Sequence, residues 1–361
     1  MDHFRPTEAV IDGAALAANF ETIRRATGTP VLAVVKANAY GHGAVAVARV
    51  LSPLGVAMFG VSLVEEGLEL REAGIRDPIL VLSPTFSGAE RVCMQSELTP
   101  VLGTFRQLEA FDALGRERGE AVAVHVELDT GIHRQGFAAE EWSALFARLP
   151  ALKGVEVSGV QSHFANADVP EAPENALQLK RFHRALSQSG LSPSVVHISN
   201  SAAAIAHPAA RLGMVRAGLA LYGVSPLQDN ALSLRPVLHW TTRIAALHTL
   251  PAGAAVSYGG TFVTKKESRI ATLPVGYADG YPRALGNRAH VIVAGVRCPV
   301  VGRVCMDVVL IDVSEVASAA VGSEVELLGE GVPASELAQL IGTIPYEILS
   351  RISRRVYRRL A

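Results

Sequence analysis

The chain has 361 residues, of which 49% are hydrophobic and 19% are charged, and its formal net charge is -1. This composition supports a large apolar core and excludes a disordered chain. The near-neutral charge lacks the basic bias of nucleic-acid-binding proteins, so a small polar molecule is the expected ligand.

The cysteines and the apolar runs exclude further classes of protein. Cys93, Cys298 and Cys305 are too few and too scattered for a disulfide framework or a zinc site, and no metal is predicted. The first residues lack an apolar signal core, and no apolar run reaches the ~20 residues of a membrane helix. We therefore expect a cytoplasmic enzyme that binds neither membrane nor nucleic acid.

The first two thirds of the chain alternate short apolar runs with Ala- and Leu-rich helical segments. Segment 7–11 is strand-like and precedes the first helix, and we expect it to pair with the C-terminal domain. The next predicted strands are 31–35, 56–61, 79–82, 99–102, 122–128, 156–162, 194–198 and 215–221, and the predicted helices are 14–25, 44–51, 64–72, 105–116, 140–149 and 175–187. Eight strands alternating with helices predict an α/β fold, a (β/α)8 TIM-type barrel.

Beyond about Pro236 the pattern changes to strands separated by Gly and Pro turns. The predicted strands are 241–250, 268–273, 290–293, 308–313 and 324–328, with one helix at 335–340. This pattern indicates a C-terminal mainly-β domain. We assign residues 1–235 to the barrel and 236–361 to the second domain.

Polar residues follow several of the barrel strands. In a barrel, chemistry takes place at the carboxyl ends of the strands, and side chains from several strands converge there. The residues in question are Lys36, Glu127, Asp129, Arg134, His163, His197, Ser199, Asn200, Ser201 and Arg216.

Lys36 ends a strand that is otherwise entirely apolar. A buried lysine is costly, which favours a functional amine, and a primary amine of lowered pKa forms a Schiff base with an aldehyde. The alternative is a packed stem with a solvated amine. Glycine turns at 40–43 and 216–218, and the Asn200-Ser201 pair, suit an anion such as phosphate, although each could be an ordinary connection.

Taken together, these segments resemble the alanine racemase family. Segment 33–43, AVVKANAYGHG, resembles the pyridoxal-phosphate attachment signature of that family, and LDTGIHR at 128–134 resembles its substrate-arginine loop. The further matches are HISNS at 197–201, VRAG at 215–218, SYG at 257–259, GYADG at 276–280, GRVCMD at 302–307 and YE at 346–347. Their order and approximate spacing hold across essentially the whole chain.

The resemblance implies racemisation of alanine by two acid/base groups. Lys36 would hold pyridoxal phosphate and act as one group, and Tyr258 would act from the opposite face of the cofactor. In such enzymes the tyrosine comes from the partner subunit, which implies a homodimer with shared sites. The residues implied to bind the cofactor are Lys36, Tyr40, His163, Asn200, Ser201, Arg216, Gly218 and Tyr346.

Arg216 would face the pyridine nitrogen and, because arginine only donates, would keep that nitrogen unprotonated. His163 could instead be a satisfied barrel histidine. Arg134 would orient the tyrosine base or the substrate carboxylate, and the backbone N–H of Met306 would bind that carboxylate. Supporting roles fall to Glu127, Tyr277, Cys305 and Asp307.

Glu127 departs from a common pattern of the family. Many relatives have a carbamylated lysine at this position, whose end holds the substrate arginine. A glutamate already carries a carboxylate, and we expect it to pair with Arg134 directly, or through water or an ion.

Four other functions remain open from the sequence, of which a phosphate-binding barrel enzyme without pyridoxal phosphate is the most distant. A broad-specificity racemase of alanine and serine fits the same motifs, and a basic-amino-acid decarboxylase could share the barrel. The small entrance implied by Tyr277 favours a small substrate. A pyridoxal-phosphate carrier protein has a similar barrel and lysine, but the second domain with Tyr258 and Met306 argues against it.

Overall fold

The structure is a computed structural model that describes residues 4–227 and 232–361. Its strands are β1 (Glu8–Ile11), β2 (Val31–Val34), β3 (Met58–Val61), β4 (Ile79–Val81), β5 (Leu98–Leu102), β6 (Val122–Glu127), β7 (Val155–Gln161), β8 (Val195–His197), β9 (Val215–Ala217), β10 (Leu238–Arg243), β11 (Ala246–Leu250), β12 (Ala255–Val256), β13 (Phe262–Val263), β14 (Ser268–Leu273), β15 (His290–Val293), β16 (Val296–Pro299), β17 (Val309–Asp312), β18 (Glu324–Leu328) and β19 (Tyr357–Leu360).

The right-handed helices are Gly13–Thr27, Ala44–Leu51, Val64–Glu72, Glu90–Gln95, Phe105–Arg118, Trp142–Arg148, Pro173–Ser189, Ser201–Ala206, Ala334–Ile341 and Pro345–Ser350. Lys36–Tyr40 forms one further helical turn, which is left-handed. Short 3-10 turns lie at Ser52–Leu54, Ala139–Glu141, Leu149–Ala151, Pro208–Ala210, Leu219–Tyr222, Tyr258–Gly260, Tyr277–Asp279 and Arg283–Leu285.

Strands β2 to β8 lie side by side in chain order in one parallel sheet, and β9 joins the sheet beside β2, which leaves a seam between β8 and β9. At the remaining seam, Gly213 N donates to Val196 O and Arg216 N donates to Ser199 O, both at 3.0 Å. The sheet is therefore nearly closed, and the predicted barrel is confirmed. All four residues of β2 are buried, as expected for a strand with side chains inside the barrel and helices outside.

The sequence explains where the first barrel helix begins and where it ends. The Asp12 side chain accepts from Ala15 N at 2.8 Å, which caps the N-terminus of Gly13–Thr27. Gly28 ends the helix with φ 63°, a left-handed conformation that glycine adopts without strain. The helix buries Leu16 and Phe20 in the hydrophobic core.

The C-terminal domain is mainly β, as predicted. Its larger sheet has the order β16-β15-β18-β10-β1-β19, and a second sheet has the order β11-β14-β17. Strand β1 lies between β10, to which it is antiparallel, and β19, to which it is parallel. The start of the chain is thus part of the C-terminal sheet, although the next helix belongs to the barrel.

Two predicted strands differ in the structure. Segment 241–250 is not one strand, because the chain leaves the larger sheet after β10 and enters the smaller one at β11. The buried Ile244 lies at this crossing, and its N–H donates to Ser323 O. Segment 215–221 is a strand only as far as Ala217, and Leu219–Tyr222 is a 3-10 turn.

Three short right-handed helices lie outside the predicted helix ranges, at Glu90–Gln95, Ser201–Ala206 and Pro345–Ser350. Each has six residues, which is less than two helical turns, so the apolar period is not visible in the sequence. In the described part of the chain, no helix is long and apolar enough to cross a membrane.

Candidate active site

A cavity of about 600 Å³ lies at the carboxyl end of the barrel strands; we call it the barrel-mouth cavity. It brings together the predicted residues Lys36, Tyr40, Glu127, Arg134, His163, Asn200, Ser201, Arg216, Gly218 and Tyr346. Ile344 and Ser350, which lie near the end of the chain, also line it. The C-terminal domain therefore contributes one wall of a cavity that the barrel mostly builds.

Lys36 opens the left-handed turn. Ala37, Asn38, Ala39 and Tyr40 all have φ between 50° and 54°, although none is glycine. Each such residue costs about 1–2 kcal/mol, so the surroundings must stabilise the turn. The turn places the side chains of Lys36 and Tyr40 in the same cavity.

The charge of Lys36 is sensitive to its surroundings. Burial lowers the pKa of its amine, and the positive charge of Arg134 lowers it further, whereas Glu66 opposes these effects. A lowered pKa gives a larger fraction of neutral amine, which is the nucleophilic and basic form.

Arg216 is the centre of a buried hydrogen-bond network. Its Nη1 donates to His197 Nδ1 at 2.8 Å, and its Nη2 donates to His163 Nδ1 at 2.9 Å and to Ser162 O at 2.8 Å. Among the described residues, none accepts a hydrogen bond from Arg216 Nε. Burial lowers the pKa of Arg216 to about 10, which leaves the guanidinium charged at neutral pH.

The histidines around Arg216 are neutral. Burial lowers the pKa of His163 and of His197 well below the usual value, and it lowers that of His125 to about 4. Because Nδ1 of His197 accepts from Arg216, its proton lies on Nε2, which donates to His125 Nδ1 at 3.0 Å. This chain of donors fixes the orientation of the guanidinium.

Another part of the cavity lining is built from hydroxyl groups and a glycine. Ser201 Oγ accepts from Gly218 N at 2.8 Å, and Asn200 caps the helix Ser201–Ala206. The Tyr40 ring lies 5.6 Å from the Tyr346 ring. A Cβ on Gly218 would lie 2.8 Å from the Tyr40 hydroxyl, so only glycine leaves this space open.

Glu127 is buried beside two glutamine amides rather than beside an arginine. Its Oε2 accepts from Gln135 Nε2 at 2.5 Å and from Gln161 Nε2 at 2.8 Å. Burial raises the pKa of the Glu127 carboxyl, and the Gln135 amide opposes that effect. The direct ion pair that we expected between Glu127 and Arg134 does not occur among the described residues.

The remaining predicted residues form a second group on the C-terminal domain: Tyr258, Tyr277, Cys305, Met306 and Asp307, which we call the C-terminal cluster. Cys305 O accepts from Tyr277 N at 3.0 Å, and Ser257 Oγ lies 3.6 Å from Cys305 Sγ. Tyr258 is 73% exposed and Met306 is 53% exposed. None of the five lines the barrel-mouth cavity of its own chain.

Four residues in the site or next to it were not singled out from the sequence: Gln135 and Gln161, which line the cavity, and Glu66 and His125, which lie behind its lining. The only sequence feature that points to Gln135 as a site residue is its position directly after Arg134. His125 and Gln161 look like interior barrel residues in the sequence. Glu66 looks like an ordinary residue in the first turn of a helix.

The residues at the barrel mouth fit pyridoxal phosphate. The cofactor needs an amine for its aldehyde, and Lys36 supplies it. Its phosphate needs a small cradle with donors, which Gly218 leaves open beside Tyr40 and Ser201. Arg216 lines the cavity, and its Nε, which has no acceptor among the described residues, is available to donate to the ring.

Fold and site together define a barrel enzyme with a lysine in the cavity at the barrel mouth and a second, mainly-β domain. Residues 11–226 match the family model for the alanine racemase N-terminal domain, and residues 237–360 match the model for the C-terminal domain. The chain belongs to the alanine racemase family, which confirms the resemblance seen in its motifs.

Relatives in this family match along their whole length. An alanine racemase of Symbiobacterium thermophilum is 44% identical over 368 residues, covering 99% of this chain and 98% of that protein. The crystal structure of alanine racemase from the D-cycloserine producer Streptomyces lavendulae has a TM-score of 0.95 and 37% identity, covering 100% and 98% of the two chains. The Bartonella henselae structure, with covalently bound pyridoxal phosphate, has a TM-score of 0.93 and 31% identity, covering 99% of each chain.

Proposed function

We propose that this protein interconverts L-alanine and D-alanine with pyridoxal phosphate held at Lys36. The observation that carries the proposal is the meeting of the Lys36 amine with the buried Arg216 guanidinium in one cavity of about 600 Å³. The full-length likeness to proteins named alanine racemase supports it.

The cofactor, when bound, withdraws electrons from the substrate carbon and thereby acidifies its proton. Arg216 Nε would bind the ring nitrogen, with the guanidinium held by His163 and His197. The donors for the phosphate would come from Tyr40, Asn200, Ser201, Gly218 and Tyr346. A donor-only residue at the ring nitrogen limits delocalisation and disfavours transamination.

Lys36 would move the proton on one side of the substrate carbon. Partial burial of its amine and the positive charge of Arg134 both lower its pKa, which favours the neutral base. Racemisation also needs a group on the other side, because one base returns the proton only to the face from which it came. Within one chain, no tyrosine of the C-terminal cluster lines the cavity.

We assign the second base to Tyr258 of a partner subunit, in a homodimer whose sites are shared. The exposure of Tyr258, Tyr277 and Met306 supports this assignment, because large apolar side chains on a surface mark interaction sites. Met306 N–H and Arg134 would bind the substrate carboxylate, and Tyr277 would narrow the entrance. The three cysteines are free, which suits a reducing cytoplasm.

The test is a chiral chromatographic assay of L-alanine, L-serine and L-lysine with the purified protein. We expect alanine to be racemised fastest. Faster turnover of serine would indicate a broad-specificity racemase, and release of carbon dioxide from lysine would indicate a decarboxylase. A coloured protein that acts on none of them would support a carrier function.

The attachment residue can be tested separately. Borohydride reduction of the holoprotein should fix the cofactor to the peptide that contains Lys36, as mass spectrometry of a digest would show. A label on another lysine would contradict the assignment.

A further inference from the structure

The left-handed turn at Lys36 needs an external support. Its four residues with positive φ lack glycine, so this conformation is not intrinsically favoured. The turn has bonds of its own, with Ala39 N donating to Val35 O at 2.7 Å and Gly41 N donating to Ala37 O at 3.0 Å. The N–H of Ala37 donates instead to a residue outside the turn, in the helix Val64–Glu72.

That N–H meets the carboxylate of Glu66. Ala37 N donates to Glu66 Oε1 at 2.6 Å, while Ser62 N and Leu63 N donate to Oε2 at 2.7 and 3.1 Å. A single carboxylate therefore joins the loop after β2 to the loop after β3. Hydrogen bonds to an ionised acceptor are roughly twice as strong as neutral ones.

Glu66 acts from behind the active site. It does not line the barrel-mouth cavity, and it makes no ion pair with Lys36 among the described residues. Its contact is with the backbone of the residue that follows Lys36, which is the first residue of positive φ. Glu66 can therefore influence the cofactor only through the shape of the turn or through the electrostatic effect of its own carboxylate at a distance.

We propose that Glu66 is a positioning residue whose carboxylate holds the left-handed turn and so presents Lys36 and Tyr40 together to the cavity. The proposal rests on the proposed function for its link to pyridoxal phosphate. The link between Glu66 and the turn stands on the hydrogen bonds alone.

The first experiment uses the full-length apoprotein and does not depend on catalysis. Hydrogen exchange of the peptide that covers residues 37–41 is compared in the wild type and in Glu66→Ala. We expect the exchange of these amides to accelerate by about tenfold or more when the charged acceptor is lost. Glu65→Ala is the matched control, since Glu65 is an exposed neighbour on the same helix, and its exchange should equal that of the wild type.

The second experiment titrates each apoprotein with pyridoxal phosphate and follows absorbance. Glu66→Ala should bind about tenfold more weakly, and Glu66→Gln, which keeps one acceptor oxygen, should lie between it and the wild type. Adding Ala37→Gly to Glu66→Ala should recover most of the affinity, because glycine adopts positive φ without strain. Glu66→Gln also serves if Glu66→Ala does not fold.

Unchanged exchange in the 37–41 peptide of both Glu66 variants would overturn the proposal. So would a loss of affinity that Ala37→Gly does not recover, since the carboxylate would then act by some other route. If the wild type itself fails to bind pyridoxal phosphate, the proposed function fails, and the exchange result still decides the role of Glu66.

Discussion

The barrel-mouth cavity and the C-terminal cluster differ in how far their own chain encloses the predicted functional side chains. At the barrel mouth, the Arg216 guanidinium bonds to side chains and carbonyls of its own chain. In the C-terminal cluster, the Tyr258 side chain is 73% exposed. Under the proposed function, the first region is one half of a site, and the second is the half that acts on a partner subunit.

The largest loss of activity should come from a substitution at the barrel mouth. Lys36→Ala removes both the attachment point and one acid/base group, so we expect racemisation of alanine to fall by about 10⁴-fold or more. Chiral chromatography measures the rate. Lys180→Ala, at an exposed position, should keep the wild-type rate. Substantial activity in Lys36→Ala would mean that the chemistry lies elsewhere.

The next prediction joins the two regions. Tyr258→Phe should lose activity by about 10²–10⁴-fold, because one of the two acid/base groups is missing. When it is mixed with Lys36→Ala and allowed to exchange subunits, half of the dimers should be heterodimers. Each heterodimer has one intact site, so about a quarter of the wild-type activity should return. If Tyr258 served its own chain, mixing would restore nothing.

The third prediction concerns stability at the barrel mouth. Arg216→Lys keeps a charge but cannot satisfy both His163 Nδ1 and His197 Nδ1 with the same fork of donors. We expect the free energy of unfolding of the apoprotein to fall by about 1–3 kcal/mol, measured by urea denaturation. Arg211→Lys, a half-buried arginine away from the cavity, should change it by less than about 1 kcal/mol.

The two regions also differ in how much the sequence could predict. Strands such as β2 are continuous apolar runs, and Lys36 stands out at the end of one, so the barrel and its lysine were predictable. The left-handed turn was not, because residues 37–40 contain no glycine to mark positive φ. The break at Ile244 was missed because strand residues continue on both sides of it.

Side-chain partners were harder to predict than elements. The sequence shows a carboxylate at Glu127 and an arginine at 134, and their charges suggested a pair. In the structure the carboxylate turns to the amides of Gln135 and Gln161. That choice depends on the distance between β6, β7 and the following loop, which no local pattern contains.

The fourth prediction concerns the effect of Glu127 on how the stability of the folded protein depends on pH. Burial raises the pKa of its carboxyl, so the folded protein binds this proton more tightly than the unfolded chain does. Stability should therefore fall as pH rises above the ordinary carboxyl value of 4.5 and should level off once pH exceeds the raised pKa. Glu127→Gln should lack this fall and should be more stable than the wild type at neutral pH, by urea denaturation across pH 5–8 (approximate range).

The same variant separates stability from function. If Glu127 acts on Arg134 through water or an ion, Glu127→Gln should raise the KM for alanine by about tenfold, since a charge at the Arg134 side of the cavity is lost. Gln161→Leu would be the companion variant, because it removes one amide and keeps the carboxylate. An unchanged KM in Glu127→Gln would show that the carboxylate does not act on substrate binding.

The smallest expected effect lies in the C-terminal cluster. Asp307 pairs with Arg355 at 2.7 Å, and both side chains are about half exposed in one chain, with relative exposures of 58% and 47%. An exposed ion pair contributes about 0–1 kcal/mol and weakens with salt, so Asp307→Asn should change the free energy of unfolding by no more than that.

The same variant tests whether a partner subunit covers the C-terminal cluster. If it does, the ion pair loses solvent on assembly, and its removal then acts on the association of the subunits. The midpoint of thermal unfolding of Asp307→Asn should then depend more steeply on protein concentration than that of the wild type. Equal dependence in both proteins would place Asp307 outside the subunit contact, while leaving the position of Tyr258 to the mixing experiment.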